Sequence, residues 1–145
     1  MNIKGEYTIK NHETGEVYVD KHNLIVETGY RFIINNLVED NNETITNISL
    51  GKGSTAPTIN DTGLENISTD KTLNNITVKS QAVNGSTATL VLEALFTSDN
   101  VNNTSEIGVF TNTGRMISRD TYSVLSLPTG STMDITYTYT IKGGE

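Results

Sequence analysis

The sequence predicts a mainly β protein: a two-layer antiparallel β-sandwich with one short α-helix near the N-terminus. Thr, Ile and Val make up about a third of the 145 residues, against four Ala. Such β-branched side chains suit a pleated sheet. Seven or eight short apolar or alternating segments are separated by turn residues, and one segment has helical periodicity. This pattern is typical of two packed sheets with a helix at one end or edge.

Two loosely alternating segments open the chain and predict a β-hairpin. They cover residues 3–9 and 16–20, and Thr14-Gly15 supplies turn chemistry between them. We interpret residues 1–22 as an N-terminal hairpin extension and residues 23–145 as the β-sandwich domain, within one compact domain overall.

The segment Thr28–Val38 is the one convincing helix. Its apolar side chains recur at helical spacing and form one stripe: Tyr30, Ile33, Ile34, Leu37 and Val38. Thr28 is a suitable N-cap residue, and the helix is expected to end at Asn41-Asn42. Because such a stripe normally faces a core, we expect Ile33, Ile34 and Leu37 to be buried.

The remaining strands follow the helix. They are predicted at residues 45–50, 73–83, 87–97, 105–111, 115–122 and 135–141. Asn84-Gly85 is the strongest hairpin signal in the chain, and Asn112-Thr113-Gly114 marks a second hairpin. The last strand alternates apolar residues with Thr, which predicts one apolar and one hydroxyl face. The expected core positions of these strands are Leu90, Leu92, Phe96, Ile107, Ile135 and Ile141.

Composition removes several classes of function. Without Cys the chain has no disulfide framework, thiolate metal site or cysteine nucleophile. His12 and His22 are too few for most His-based metal or triad chemistry. A net charge of −7 argues against nucleic acid or an anionic membrane as partner. The apolar runs are too short to span a bilayer and the first residues lack a signal-peptide pattern, so we expect synthesis in a cytoplasm.

The polar segment Gly51–Asp70 is predicted to be a long loop, and loops of about twenty residues in compact domains usually have a function. Its first residues look at first like a phosphate-binding loop. They depart from that motif because Lys52 is followed by Gly53 rather than by Ser or Thr. Gly51 and Gly53 are interpreted as a turn that leaves a strand with positive φ.

The carboxylates predict neither a metal site nor a catalytic pair. Asp61, Glu65 and Asp70 do not follow EF-hand spacing, and a solvated acidic loop is the better interpretation. Glu93 alternates with apolar residues and is expected to face solvent or another subunit. We therefore predict no enzyme, no cofactor and no metal.

An ordered set of motifs resembles small structural proteins of tailed bacteriophages. The set consists of residues 23–29, 48–64, 94–96, 105–110 (SEIGVF) and 114–119 (GRMISR). It is similar to the I-x-x-G-x-G-x-x-x-P … D-T-x-L and E-I-G-L-F … G-x-L-I-x-R pattern of tail-collar and tail-fibre attachment domains. The likeness extends from Asn23 to Lys142. The chain departs from the pattern at Val109 and at Glu65–Ser68, where the family has Leu and a Glu-Val-x-Arg stretch.

The resemblance implies a non-catalytic virion protein of the tail, baseplate or fibre-attachment apparatus. Such a protein works by self-association, with trimers or higher rings implied by fibres, and by docking onto other virion proteins. Two alternatives stay open. One is a capsid decoration or head-fibre protein that docks through the N-terminal hairpin. The other is a carbohydrate-binding or adhesin module, since Tyr137 and Tyr139 share a strand face.

Overall fold

The computed structural model describes residues 2–38, 42–68 and 73–143, and for 73–75 the backbone only. Within these ranges there are nine strands and two helices. They are β1 (Asn2–Asn11), β2 (Val17–Ile25), α1 (Glu27–Val38), β3 (Ile45–Gly51), β4 (Leu73–Asn75), β5 (Thr77–Asn84), β6 (Thr87–Thr97), α2 (Ser98–Val101), β7 (Glu106–Thr111), β8 (Met116–Thr121) and β9 (Thr132–Lys142). Neither helix is long and apolar enough to cross a membrane.

The nine strands form one curled antiparallel sheet, a half-barrel, in the order β4-β3-β7-β8-β2-β1-β9-β6-β5. The mainly β fold class is confirmed, but the predicted arrangement of two separate sheets is not what the strand pairing produces. The reason lies in β2, which pairs with β1 up to Asn23 and then with β8 through Leu24 and Ile25. This two-residue seam joins two four- or five-stranded halves into one sheet.

The predicted single strand at residues 73–83 is wrong, because the chain forms two strands at opposite edges of the sheet. β4 pairs with β3, whereas β5 pairs with β6. Ile76 is the one residue between them, and its N–H donates to the carbonyl of Thr46 at 3.1 Å. One residue can make this crossing only because the curl brings the two edges of the sheet together.

Three predicted hairpins are confirmed. The first, β1–β2, is central rather than peripheral, because β1 pairs with β2 on one side and along its full length with β9 on the other. The hairpins β5–β6 and β7–β8 turn at Gly85 and Gly114. These two glycines have φ of +62° and +86°, a region that glycine occupies without steric cost.

Most of the expected strand core is buried inside the curl. Leu92, Phe96, Ile107 and Ile135 are at most 2% exposed, and Leu90 packs against them while partly buried. The interior also contains stacked tyrosines. The ring of Tyr137 lies 5.2 Å from that of Tyr7 and 5.7 Å from that of Tyr139.

A helix, α1, occupies the segment for which one is predicted, although it follows two strands. Only its first turn is held tightly against the sheet: Gly29 is its one buried residue, and the Thr28 hydroxyl donates to the carbonyl of Met116 at 2.6 Å. Thr28 therefore lies inside the helix and is not the predicted N-cap. Of the predicted stop at Asn41-Asn42, Asn41 lies outside the described residues, and Asn42 is described and is not helical.

The predicted burial of the apolar stripe is wrong for the outer half of α1. Ile34 is 55% and Leu37 74% exposed, and Ile33 is only partly buried. The physical reason is the anchoring of the helix through Gly29, which brings the first turn onto β8 and leaves the last turns at the margin of the sheet.

We expect Gly29→Ala to destabilise the protein. A Cβ at this position would lie 2.3 Å from the backbone carbonyl oxygen of Ile117, which cannot move without disturbing β8. The free energy of unfolding, measured by urea denaturation, should fall by about 1–3 kcal/mol. Gly63→Ala is the matched control, because no atom lies within 4 Å of a Cβ there. Equal effects of the two substitutions would contradict this account of how α1 is held.

Candidate functional site

The motifs at residues 105–110 and 114–119 each contribute a charged side chain to the interior of the sheet, and the two side chains meet there. Glu106 on β7 is fully buried and Arg119 on β8 is 2% exposed. Arg119 is paired with Gly108, two residues from Glu106 on the same face of β7. Its Nε and Nη2 atoms donate to Glu106 Oε2 at 3.1 and 2.9 Å. The result is a buried, hydrogen-bonded ion pair.

The second function of Glu106 is to accept hydrogen bonds from both ends of the long loop. Its Oε1 accepts the N–H groups of Gly53 at 2.9 Å and Asn66 at 2.8 Å. Its Oε2 accepts the N–H of Glu65 at 3.0 Å. Backbone N–H groups in a buried position need acceptors, and one carboxylate supplies them for residues 12 and 13 positions apart.

The two glycines at the start of the loop, Gly51 and Gly53, are required by this carboxylate rather than by backbone conformation. A Cβ on Gly53 would lie 2.6 Å from the carboxyl carbon of Glu106. A Cβ on Gly51 would lie 2.5 Å from Oε1 of the same residue. The strand β3 ends at Gly51 as the sequence predicts, but neither glycine has positive φ, so the predicted backbone conformation is wrong. The glycines allow close approach of the loop backbone to Glu106.

Asp61 joins the ion pair from the tip of the loop. Its Oδ2 accepts from Arg119 Nη1 at 2.9 Å and from the N–H of Thr58 at 3.0 Å. Burial alone would raise the pKa of Asp61, but the Thr58 N–H and the Arg119 guanidinium outweigh burial and hold that pKa below its ordinary value. Burial likewise opposes the charge of Arg119, yet Glu106 and Asp61 raise its pKa. Arg119 therefore stays charged.

Glu65 completes the arrangement on the outside of the loop. Its Oε1 accepts the N–H groups of Ser54 and Thr55 at 2.9 and 3.3 Å. We use the name loop clasp for the whole set: the side chains of Glu106, Arg119, Asp61 and Glu65 with the N–H groups of Gly53, Ser54, Thr55, Glu65 and Asn66. The loop clasp fixes residues 53–66 against β7 and β8.

A second buried carboxylate, Glu43, holds the opposite end of the β7–β8 hairpin. It accepts from the Thr111 hydroxyl at 2.8 Å, from the Thr113 hydroxyl and from Arg115 Nε at 3.1 Å. Burial would raise the pKa of Glu43, but these three donors outweigh it and the pKa lies below the ordinary value. Sequence reasoning did not single out Glu43, because its partners lie 68–72 positions away.

The arrangement positions backbone rather than reacting groups. Both oxygens of Glu106 are occupied by five N–H donors, so its lone pairs are committed to the loop and to Arg119. In the described part of the chain, no group of three or more His, Asp or Glu side chains is placed to hold a metal ion. Asp70, one of three loop carboxylates considered from the sequence, lies outside the described residues.

The other candidates lie apart from the loop clasp. Glu93 pairs with Lys79 at 3.2 Å, on the strand face opposite the buried Leu92 and Ala94, as the alternation predicts. His12 Nδ1 lies 3.5 Å from Asp134 Oδ2, and the His12 side chain is about half exposed.

No protein-family model matches the chain, and no curated protein or solved structure is significantly similar to it. The functional argument therefore depends on the residues themselves and on what the fold brings together.

We expect Glu106→Gln to be strongly destabilising. The amide keeps one acceptor oxygen but turns the other into a donor facing N–H groups, and it leaves Arg119 without its fully buried counter-charge. Removing one partner of a buried pair typically costs about 3–5 kcal/mol of unfolding free energy, measurable by urea denaturation. Glu27→Gln is the control, because the exposed Glu27–Arg31 pair should contribute less than about 0.5 kcal/mol. A loss at Glu106 as small as the control would contradict the role of the loop clasp.

Acid should weaken the protein partly through Asp61. The pKa of Asp61 is below its ordinary value of 3.8 in the folded state. Its contribution to stability is therefore complete above about pH 4, the unfolded-state value, and is lost as pH falls through the folded-state pKa. Asp61→Asn should lower the unfolding free energy at neutral pH and flatten its fall below about pH 4. Denaturation curves of the variant and the unaltered chain that stay parallel through this range would exclude the linkage.

Proposed function

We propose that the chain is a non-catalytic structural protein of a tailed-phage virion, in the tail, baseplate or fibre-attachment apparatus. It acts by self-association and by docking onto other virion proteins. The observation that carries the proposal is the convergence of the motif residues on which the family resemblance depends. Gly51, Gly53, Asp61, Glu106 and Arg119 lie up to 68 positions apart in the sequence, yet all of them take part in one contact network.

The kind of network supports a structural role. The carboxylates of the loop clasp hold the loop in place, and the exposed residues of the loop include the uncharged Ser54, Thr55 and Ala56. A loop that is already ordered loses little conformational freedom on binding, so it suits a docking surface. Catalytic carboxylates need a free lone pair or proton, which the fully bonded Glu106 does not offer.

The edge of the sheet supports self-association. All eight residues of β5 are exposed, and β5 is the last strand of the sheet order. A strand in this position offers backbone groups to a strand of another subunit. Repetition of modest contacts in a symmetric assembly would then supply the stability of the particle.

The alternatives find less support. Tyr137 is fully buried and Tyr139 is 6% exposed, so these side chains do not form a surface platform for a sugar. The N-terminal hairpin, suggested as a head-docking element, has its strand β1 paired on both sides. β1 therefore has no free edge with which to dock.

The test is immunogold electron microscopy with antibody raised to this chain, on particles of the phage or prophage that encodes it. We expect label at the tail tip, baseplate or neck. Particles from a mutant that lacks the gene, treated with the same antibody, are the control. Label spread over the head would assign the chain to capsid decoration instead. Absence of label from intact particles would overturn the proposal.

A further inference from the structure

The turn between β5 and β6 joins an asparagine to a glycine. Asn84-Gly85 is the only Asn-Gly dipeptide among the 17 asparagines of the chain. Asn84 ends β5 and pairs with Thr87, so Gly85 and Ser86 form a two-residue turn. Asn84, Gly85 and Ser86 are all exposed. The side chain of Asn84 therefore lies in contact with water at the tip of a hairpin.

Neither the carboxamide of Asn84 nor the N–H of Gly85 is hydrogen-bonded to another of the described residues. A Cβ at position 85 would meet no atom within 4 Å, so the space around this peptide group is open. Because glycine has no side chain, nothing shields its nitrogen from the carboxamide carbon of the preceding residue. The two groups are thus free to approach one another.

Asn112, in the turn of the β7–β8 hairpin, is held in a different way. Its Oδ1 accepts the N–H of Thr44 at 3.0 Å, and its Nδ2 donates to the carbonyl of Asn42 at 3.2 Å. The next residue is Thr113, whose branched side chain crowds the nitrogen that follows Asn112. Two exposed hairpin asparagines therefore differ in the two properties that matter for reaction with the next residue, and Asn84 has both in its favour.

We propose that Asn84 is a site of spontaneous deamidation. Hydroxide or a buffer base removes the proton of the Gly85 N–H, and that nitrogen attacks Cγ of Asn84. A bond forms between the nitrogen and Cγ, the bond from Cγ to Nδ2 breaks, and Nδ2 takes a proton from water and leaves as ammonia. Water then opens the resulting five-membered succinimide ring at either carbonyl. The products are an aspartate or an isoaspartate at position 84, and no atom is oxidised or reduced.

The hairpin sets the rate of this reaction. Asn84 has an extended backbone in β5, and closure of the ring requires its ψ to rotate away from the extended value, so the end of the hairpin must open first. β5 is an edge strand that pairs with β6 alone, and all eight of its residues are exposed. The end of such a strand opens at a fraction of the free energy of global unfolding. The reaction therefore proceeds in the folded protein.

The modification changes the edge strand in two ways. A carboxylate replaces a neutral amide, which adds a negative charge to a chain of net charge −7. An isoaspartate also takes the backbone through its side-chain carbons, which lengthens the backbone by one carbon and disturbs the pairing of Asn84 with Thr87. The Ser86 carbonyl, which accepts the Gly143 N–H at 2.7 Å, lies in the same turn. We therefore expect the isoaspartate form to loosen the end of the β5–β6 hairpin.

The test follows the unaltered chain and Asn84→Gln during several weeks in mildly alkaline and in mildly acidic buffer. Gln at this position is the matched control, because it keeps a carboxamide in the turn but would have to close a six-membered ring. Cleavage after glutamates separates Asn84 from Asn112, since Glu93 and Glu106 lie between them. Mass spectrometry then measures the gain of one dalton in each peptide, and chromatography separates the aspartate from the isoaspartate form.

We expect the peptide that contains Asn84 to convert into both products at least about ten times faster than the peptide that contains Asn112. The rate should rise with pH, because the attacking nitrogen must lose its proton. The Asn84→Gln peptide should keep its mass, and circular dichroism checks that this variant folds. A chain unfolded in urea, in which no hairpin restrains the backbone, should convert faster at Asn84 than the folded chain.

Three outcomes would overturn the inference. The first is an unchanged mass at Asn84 in the folded chain, and the second is conversion of Asn112 at an equal rate. The third is formation of the aspartate without isoaspartate, which would exclude the ring intermediate. The inference does not depend on the virion role, and none of these results would change that proposal.

Discussion

A carboxylate buried as deeply as that of Glu106 is tolerated only when its charge is compensated and its lone pairs are satisfied. Arg119 supplies the charge from the neighbouring strand, and the long loop supplies the remaining hydrogen bonds through its backbone. The dependence is mutual. The loop needs the carboxylate to accept its N–H groups, and the carboxylate needs the loop to cover it. Gly53 satisfies both needs, since any side chain there would hold the loop away from Glu106.

The curl of the sheet is the second constraint. It explains why all the strands belong to one continuous sheet and why the half-barrel is left open on one side. The seam at Leu24 and Ile25 joins the two halves, while Ile76 carries the chain from one edge to the other. Between these points the interior fills with Tyr and aliphatic side chains, including the stacked Tyr7 and Tyr137. Near α1 the side chains do not fill the interior, and an apolar recess of about 530 Å³ remains beside Phe32 and Ile33. The recess is therefore a consequence of a sheet that curls without full pairing of its edges.

The two ends of the molecule differ in whether their side chains have partners within the chain. At the loop clasp, buried charges have partners and the backbone is held on both sides. At α1 and β5, apolar side chains such as Leu37 and Val83 face solvent. The paired buried charges and the exposed apolar side chains thus lie in separate parts of the molecule.

The sequence by itself determined the features that depend on neighbours along the chain. Composition and period-2 alternation predicted β structure and the inward face of β6 and β9, because side chains alternate across a strand whatever it pairs with. Asn84-Gly85 and Asn112-Thr113-Gly114 predicted two hairpins, because the turn requires glycine at positive φ. The motifs also drew attention to Asp61, Glu106 and Arg119, although they did not indicate a common contact.

Only the tertiary structure decided which distant segments meet. The break at Ile76 depends on the edges of the sheet lying close together, which no local pattern encodes. The ion pair of Glu106 and Arg119 depends on the register of β7 and β8, and their contact with Asp61 on the path of the loop. The exposure of Ile34 and Leu37 follows from the anchoring of α1 through Gly29. An apolar stripe indicates that one face of a helix is suited to burial. Only the packing of the whole chain shows whether that face is buried within the same molecule.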